Sequence, residues 1–311
     1  MATLDWDGVF SMCGITGILF KEPERVGPVG RIQVEMLQAL NRRGPDSTGV
    51  ALYGPPETGF LLRARLQPDG EGHVERARTA IEDLATVREL VPTPGGVRAS
   101  VAYEGELAAL ADGVEAAEAT LDVLSLGRSM QIVKEVGSAE ALDRAYDISS
   151  FQGGHAIGHT RMATESRVDT LHSHPFWARP FADIALVHNG HVTNEHKLRR
   201  QLEQRGHQFL TDNDSEVLAA YLADQLERGE DLGEVLERSV RELDGSFAYL
   251  VSTADGIGFA RDQFGLKPLL LAETDDYVVL ASEDIAIRAA FPDDDIHPRE
   301  LGAGETRSWR R

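Results

Sequence analysis

The chain has 311 residues, 42% of them hydrophobic, which is enough for one large domain or two smaller ones with a sizeable core. Its net charge of −20 makes nucleic acid and anionic membranes poor partners. No apolar run approaches the roughly 18 residues that span a bilayer, no secretory signal is evident, and a single cysteine fits a reducing cytoplasm.

The first elements follow from short apolar patterns. Residues 1–12 show no clear periodicity and have the character of a leader before a strand-like run at 15–20. Apolar residues at helical spacing predict a helix over 31–43. A sharp break at 42–46 separates this helix from a predicted strand over 47–53.

The stretch from about 71 to 150 has a different character. Apolar residues recur at helical spacing from Val74 to Leu84, and residues 104–126 are rich in Ala, Glu and Leu. Nothing in this stretch resembles a catalytic motif. We expect a partly helical segment here, as an insertion in a single domain covering 13–311 or as an integral helical layer.

From residue 151 onward, short strands alternate with helices. Strands are predicted over 155–162, 184–187, 246–252, 257–260, 268–272 and 277–281, and helices over 194–205, 214–227 and 232–242. Strands and helices interleaved with short turns indicate a mixed α/β layered domain.

Cys13, the only cysteine, directly follows Met12. A lone cysteine forms neither an intramolecular disulfide nor a cysteine metal cluster, which leaves a buried apolar filler or a reactive thiol. If the chain began at Met12, removing that methionine would expose an α-amine with a pKa of about 7.7 to 8.0 beside a thiol with a pKa of about 8.5. That amine is a general base for the thiol, the arrangement of N-terminal-nucleophile hydrolases.

Three further segments offer polar groups at the ends of predicted elements. His188-Asn189-Gly190 follows an apolar run and predicts either a turn or an oxyanion hole made by the Asn189 side chain and the Gly190 N–H. Arg161 at a strand end suits an α-carboxylate or a surface ion pair. Asp214 at a helix start suits an α-ammonium group or a plain N-cap.

The pair His172 and His174 has the spacing that puts both imidazoles on one face of a strand. No acidic third ligand is evident nearby, so a metal site is disfavoured. Phosphate-loop and dinucleotide fingerprints are absent, and one cysteine excludes a four-cysteine iron–sulfur cluster. We therefore expect no metal and no cofactor on this chain.

Eight motifs in a fixed order resemble the class II glutamine amidotransferases, the glutaminase domains of the N-terminal-nucleophile hydrolases. They are Cys-Gly-Ile-Thr-Gly-Ile at 13–18, Arg-Arg-Gly-Pro-Asp-Ser-Thr-Gly at 42–49, Gly-His-Thr-Arg-Met-Ala-Thr at 158–164, His-Ser-His-Pro-Phe at 172–176, His-Asn-Gly at 188–190, Asp-Asn-Asp-Ser-Glu-Val-Leu at 212–218, Leu-Asp-Gly-Ser-Phe-Ala at 243–248 and Arg-Asp-Gln-Phe-Gly-Leu-Lys-Pro-Leu at 261–269. The resemblance covers nearly the whole chain apart from roughly 55–150. It implies a four-layer α/β/β/α sandwich.

The resemblance also implies roles around the thiol. Cys13 matches the N-terminal nucleophile, and Asn189 with Gly190 matches the oxyanion hole. Arg42 or Arg43 matches the arginine beside the catalytic cysteine, and we favour Arg43 because it adjoins the following glycine.

Three positions match the anchors for glutamine. Arg161 matches the arginine that binds the α-carboxylate, Thr164 the threonine near it, and Asp214 the acid that binds the α-amine. The sequence departs from the pattern at Glu165, where some members carry histidine, and in the 12 residues that precede the nucleophile. Either translation starts at Met12, which we prefer, or residues 1–12 are a propeptide.

The implied reaction is hydrolysis of glutamine to glutamate and ammonia through a Cys13 thioester. Too few residues follow Pro268 for an acceptor domain of usual size, so we expect a hetero-oligomer in which a separate synthase subunit receives the ammonia. The resemblance is to the amidotransferase subunit of N-methylglutamate synthase and glutamate-synthase-like complexes, which implies flavin and iron–sulfur clusters on the partner. The alternatives are a catalytically silent glutamine-binding scaffold and an amidase for another acyl donor.

Overall fold

The chain folds into antiparallel sheets flanked by helices, which the computed structural model describes for residues 13–67, 72–162 and 168–311. The strands are β1 (Gly14–Phe20), β2 (Ser47–Tyr53), β3 (Phe60–Leu66), β4 (Thr86–Thr93), β5 (Gly96–Ala102), β6 (Leu121–Gly127), β7 (Met130–Val136), β8 (His155–Arg161), β9 (Phe176–Trp177), β10 (Ala185–Val192), β11 (Gly245–Thr253), β12 (Gly256–Arg261), β13 (Leu270–Glu273), β14 (Tyr277–Ala281), β15 (Arg299–Glu300) and β16 (Thr306–Arg310). The helices are α1 (Val29–Ala39), α2 (His73–Glu82), α3 (Leu107–Ala117), α4 (Ala139–Tyr146), α5 (Glu195–Glu203), α6 (Asp214–Glu227), α7 (Leu232–Glu242) and α8 (Asp284–Ala290).

The first sheet has seven strands in the order β15-β13-β14-β1-β8-β2-β7. Every residue of β1, β2 and β8 is buried, because both faces of the sheet are covered. Gly14 pairs with Thr160, so Cys13, immediately before β1, lies beside Arg161 at the end of antiparallel β8.

The second sheet has the strand order β16-β12-β11-β10-β9 and packs face to face on the first. Ile15, Ile157, Val187 and Leu250 belong to the apolar layer between the two sheets. The sheets approach closely at Gly17, where an added Cβ would lie 2.9 Å from the Leu250 side chain. Small residues here therefore set the spacing of the sandwich.

Helices cover the two outer faces. Apolar residues of α1, α4 and α8 pack on the first sheet, as Leu37 and Ile287 pack with Val50. Apolar residues of α5, α6 and α7 pack on the second sheet. Leu218 of α6 and Leu236 of α7, for example, belong to the same buried cluster as Leu186 of β10 and Tyr249 of β11. The predicted four-layer α/β/β/α sandwich is confirmed. Within the described residues, no helix has the length and apolar character needed to cross a membrane.

The region from about 71 to 150 is partly helical, as predicted, but it also supplies strands. Helix α2 lies where the helical spacing predicted it, whereas in 104–126 only 107–117 is helical. Leu121 and Val123 are buried in alternation with less buried neighbours, the period of a strand, and β6 pairs with β3. A third sheet, β4-β5-β3-β6, results, while β7 joins the first sheet.

Buried histidines lie between the sheets. His155 stacks on Tyr53 at 4.1 Å and donates to the Thr253 carbonyl at 2.8 Å. His159 stacks on His174 at 4.0 Å. Burial lowers the pKa of His155 and of His159 to about 3 and lowers the pKa of His174 well below its usual value.

We expect the free energy of unfolding to fall as the pH drops below about 6.5, where these imidazoles bind protons in the unfolded chain but stay neutral in the folded one. Each buried histidine contributes up to about 1.4 kcal/mol per pH unit in this range. Urea unfolding followed between about pH 7 and pH 5 measures the slope.

A smaller slope is expected for His174→Phe. Neither ring nitrogen of His174 has a hydrogen-bond partner among the described residues, so the substitution removes only a titrating group. His196→Phe, at a side chain 91% exposed, is the matched control and should keep the wild-type slope. An unchanged slope in His174→Phe would contradict the assignment.

Candidate active site

Cys13 is half-buried immediately before β1, and its backbone is fixed by two side chains. Its carbonyl oxygen accepts from Asn189 Nδ2 at 2.9 Å and from Arg43 Nε at 3.2 Å. Its Sγ donates to the Met162 carbonyl at 3.7 Å. The structure places Arg43, the arginine that we favour, against the cysteine.

Burial raises the pKa of the Cys13 thiol, and the hydrogen bond to Met162 and the positive charges of Arg161 and Arg43 offset this only in part. The thiol is therefore protonated at neutral pH in this environment. A base close to Sγ is needed to convert it to the reactive thiolate.

Strand alternation aims Cys13 and Arg161 at the second sheet. Ile15 and Ile157 pack between the sheets. Cys13 lies two residues before Ile15 and Arg161 four residues after Ile157, so both side chains face the same inward side. Arg161 is buried and lines the same cleft of about 650 Å³ as Cys13. The arginine predicted at a strand end is thus buried next to the thiol and does not lie on the surface.

Asn189 and Gly190 lie inside strand β10, so the predicted turn at this Asn-Gly pair is not formed. Both residues pair with β11, Gly190 opposite Phe247. Val187 packs between the sheets, and Asn189, two residues on, points the same way toward Cys13. Gly190 has φ +129°, and an added Cβ would lie 2.0 Å from the Ser246 carbonyl oxygen, so only glycine fits.

Asp214 is the first residue of α6 and does not cap the helix. Asn213 is the N-cap, and its side chain accepts from the Ser215 N–H at 2.9 Å. The interpretation of Asp214 as a plain N-cap is therefore wrong. Its carboxylate is available to the cleft that it lines.

The Asp214 carboxylate is held on several sides. It accepts from the Val192 N–H at 2.9 Å and from Ser215 Oγ at 3.1 Å. His191 Nδ1 lies 3.4 Å from its Oδ2, and His188 Nδ1 lies 3.7 Å from its Oδ1. Burial alone would raise the pKa of Asp214, but His188, the Val192 N–H and His191 outweigh it and hold this pKa below its usual range. The carboxylate is charged at neutral pH.

Two residues that the sequence analysis did not single out support the nucleophile. Glu283 forms an ion pair with Arg43, and Ser282 Oγ accepts from the Ile15 N–H at 2.9 Å. Both follow β14, which pairs with β1. Their only signal in the sequence is that they directly follow the strand predicted over 277–281.

The prediction that His172 and His174 share one face of a strand is wrong. Residues 171–174 form turns and bends ahead of β9. His172 Nδ1 contacts Asp169 at 2.8 Å, whereas His174 stacks on His159. Over 13–67, 72–162 and 168–311, no three His, Cys, Asp or Glu side chains form a group suited to a metal ion.

The cleft gathers Cys13, Arg161, Gly190 and Asp214 on its walls, with Asn189 and Arg43 contacting Cys13 from the side. Thr164 and residues 1–12 lie outside the described residues. The other described lining residues are mainly polar: Met162, His172, His174, His188, His191, Glu195, Asp212, Asn213 and Ser215.

Comparison with known proteins identifies the family. A family model for the glutamine amidotransferase domain matches residues 159–289. The chain is 37% identical over 308 residues to a provisionally assigned glutamine amidotransferase of Methanothermobacter thermautotrophicus, covering 96% of this chain and 99% of that one. It is 38% identical over 280 residues to the glutamine amidotransferase-like protein GlxB of Rhizobium meliloti, covering 88% of this chain and 89% of that one. The chain belongs to the glutamine amidotransferases.

A solved structure agrees on the fold of this amidotransferase. Glutamine phosphoribosylpyrophosphate amidotransferase from B. subtilis matches with a TM-score of 0.60 at 22% identity, over 96% of this chain and 49% of that one. The amidophosphoribosyltransferase of Methanocaldococcus jannaschii is 30% identical over 178 residues. This match covers 56% of this chain and 38% of the amidophosphoribosyltransferase. The chain thus spans about half or less of the length of these longer proteins.

Proposed function

We propose that the cleft hydrolyses the side-chain amide of glutamine to glutamate and ammonia through a thioester on Cys13. One observation carries this proposal: a thiol, a guanidinium and a carboxylate line one cleft, with the Asn189-Gly190 pair beside the thiol. These are the groups that amide hydrolysis by a thiol requires, together with anchors for an amino acid.

Opposite charges on two walls suit a zwitterion. The Arg161 guanidinium presents a fork for the α-carboxylate, and the charged Asp214 carboxylate binds the α-ammonium group. Thr164 is assigned to the α-carboxylate from its sequence motif alone. A substrate held at both groups projects its side-chain amide toward Cys13. This arrangement disfavours an amidase for acyl donors that lack the two α-groups.

The first chemical step needs a base because burial keeps the Cys13 thiol protonated. With Cys13 as the N-terminal residue, its α-amine accepts the thiol proton through a water molecule. Sγ then forms a bond to the amide carbon. The proton passes to the leaving nitrogen as the C–N bond breaks, and water later cleaves the thioester to release glutamate.

The oxyanion is assigned to Asn189 and Gly190. One N–H of the Asn189 side chain already donates to the Cys13 carbonyl, which leaves the second for the oxyanion. The Gly190 backbone N–H is the other donor, at a position where any side chain would collide with Ser246. Loss of one such donor typically costs about 3 to 4 kcal/mol of transition-state stabilisation.

Cys13→Ala should abolish ammonia release from glutamine while thermal unfolding stays close to wild type, because only the sulfur is lost. Ammonia production and thermal unfolding, measured on the same preparation, check this. Full glutaminase activity in the variant would refute the assignment.

Intact mass of active protein from the native host should show a chain that begins at Cys13. Active protein that retains Met1 would contradict both proposed origins of residues 1–12.

Asp214→Asn keeps the shape of the side chain and removes its charge. We expect kcat/KM for glutamine to fall about 10- to 150-fold, the worth of a charge-assisted hydrogen bond of roughly 1.5 to 3 kcal/mol. Hydrolysis of glutaramate, which lacks only the α-amine, should change little because it has no group for Asp214.

Asp212→Asn is the matched control, since Asp212 lines the same cleft. It should leave the preference for glutamine over glutaramate unchanged. Equal losses on both substrates in Asp214→Asn would show that the carboxylate does not bind the α-amine.

We further propose that a separate synthase subunit receives the ammonia. The match covers 99% of the M. thermautotrophicus relative and 89% of GlxB, but only 38% of the M. jannaschii amidophosphoribosyltransferase. This difference supports an acceptor site on another chain. The partner that we assign is the flavin- and iron–sulfur-containing synthase of an N-methylglutamate synthase or glutamate-synthase-like complex, in the cytoplasm.

An exposed apolar turn supports a docking face beside the cleft. Phe264 and Leu266 are 71% and 66% exposed, in the turn that follows β12. Asp262 shapes this turn, since its Oδ1 accepts from the Phe264 N–H at 2.7 Å. The turn leaves the second sheet at the end that carries Gly190, because Asp262 N–H donates to the carbonyl of Phe247, the partner of Gly190.

Phe264→Ser combined with Leu266→Ser should leave glutaminase activity intact and weaken co-purification of the flavin-containing subunit from the native host. Mass spectrometry of the purified complex and its flavin absorbance are the measurements. Val26→Ser, at an exposed valine beyond the other end of β1, is the control and should retain the partner. A partner without flavin, or equal recovery in all variants, would contradict this part of the proposal.

A further inference from the structure

The imidazole of His188 lies on the opposite face of strand β10 from the Asn189 side chain. Val187 and Asn189 face the first sheet, so His188, which lies between them, points away from it and toward helix α6. Its side chain is only 1% exposed. One short stretch of β10 therefore carries the assigned oxyanion donor on one face and a buried imidazole on the other.

Two hydrogen bonds join His188 to the Asp214 carboxylate through Ser215. His188 Nδ1 lies 2.8 Å from Ser215 Oγ, and Ser215 Oγ donates to Asp214 Oδ1 at 3.1 Å. An ionised carboxylate only accepts, so the single hydroxyl hydrogen of Ser215 belongs to the bond with Asp214. His188 Nδ1 must therefore carry a hydrogen and donate it to Ser215 Oγ.

Both donors of this relay point toward the carboxylate, and His188 also acts on it directly. His188 Nδ1 lies 3.7 Å from Asp214 Oδ1. Burial raises the pKa of Asp214, and His188 is the largest of the influences that lower it. The Val192 N–H and His191 add smaller effects, and together these groups hold the pKa below its usual range. The imidazole thus helps to keep Asp214 in the ionised form that binds an ammonium group.

The backbone of His188 is fixed as well as its ring. The His188 carbonyl oxygen accepts from His159 Nε2 of β8 at 3.1 Å, and His188 pairs with Tyr249 of β11. Ser215, the next member of the relay, is 1% exposed. The Asp214 carboxylate is therefore tied, through groups enclosed by protein, to a defined position on β10.

His191 is the other imidazole beside Asp214, and its surroundings differ. Its side chain is 69% exposed, and its Nδ1 lies 3.4 Å from Asp214 Oδ2. A ring in contact with water exchanges its hydrogen bonds with solvent, whereas the ring of His188 is enclosed. The fixed orientation of Asp214 is therefore assigned to His188.

We propose that His188 is a positioning residue that orients the Asp214 carboxylate through Ser215 and thereby sets the preference for substrates with an α-amine. This inference rests on the proposed glutaminase function, and it gives His188 no contact with the reacting atoms. Asn189 is the next residue of β10, so one segment of this strand positions both the amide end and the amine end of glutamine.

The experiment compares kcat/KM for glutamine with kcat/KM for glutaramate. His188→Phe keeps a ring of similar size and removes the donor, so kcat/KM for glutamine should fall about tenfold, equal to about 1.4 kcal/mol. The value for glutaramate should change less than about threefold, because this substrate has no group for Asp214. His188→Asn keeps an N–H near the position of Nδ1 and should restore most of the preference for glutamine.

A double-mutant cycle tests whether His188 acts through Asp214. Added to Asp214→Asn, the substitution His188→Phe should lower kcat/KM for glutamine by less than about twofold, because the carboxylate that it orients is already lost. Ser215→Ala removes one oxygen atom and should show the same selective loss on glutamine, which keeps the test decisive if His188→Phe does not fold.

His155→Gln is the matched control for replacing a buried imidazole. His155 lies about 20 Å along β8 from Arg161, and glutamine at this position keeps an N–H for the Thr253 carbonyl. This variant should keep the wild-type ratio of kcat/KM for glutamine to that for glutaramate.

Equal losses on both substrates in His188→Phe and Ser215→Ala would overturn the inference, since a purely structural role has that effect. An unchanged preference in both variants, or full multiplication of the effects of His188→Phe and Asp214→Asn, would overturn it too. In each of these cases the wild-type protein still hydrolyses glutamine. Wild-type protein that releases no ammonia from glutamine would refute the proposed function together with this inference, so the two failures are distinguishable.

Discussion

The carbonyl oxygen of Cys13 is the point on which the site depends. Asn189 from the second sheet and Arg43 from the turn after α1 both donate to this one atom, and Glu283 from the segment after β14 holds Arg43 in turn. Elements from far-apart parts of the chain are thereby fixed to the residue that bears the thiol. The two sheets also approach closely at Gly17, three residues after the start of β1, where an added Cβ would lie 2.9 Å from the Leu250 side chain.

Burial shifts the pKa values of the acidic and the basic groups of the cleft in opposite directions. It raises the pKa of Cys13 and lowers that of the neighbouring histidines, so these groups stay neutral. Asp214 is the exception: hydrogen bonds and nearby imidazoles outweigh its desolvation, so its pKa is lowered and the carboxylate stays charged. The cleft therefore combines a buried guanidinium and a charged carboxylate with an uncharged thiol and an uncharged His174.

Local patterns predicted much of the fold. Strand β2 and helices α6 and α7 have the predicted bounds, because uninterrupted periodicity and clear caps specify them without help from distant residues. The third sheet was not predicted, since β3 buries Arg63 on one side and shifts register beside it, which obscures strand alternation. Glu283 was missed for another reason: its contact with Arg43 spans 240 residues, and no local signal records such a pairing.

The short segment from Val168 to His174 borders two cavities. Thr170 lies on the wall of the cavity between the third sheet and β7 and accepts a hydrogen bond from Arg65, while His172 and His174 line the cleft of Cys13. One short backbone segment therefore forms part of both walls. A shift of this segment that reshapes one cavity also moves side chains that line the other.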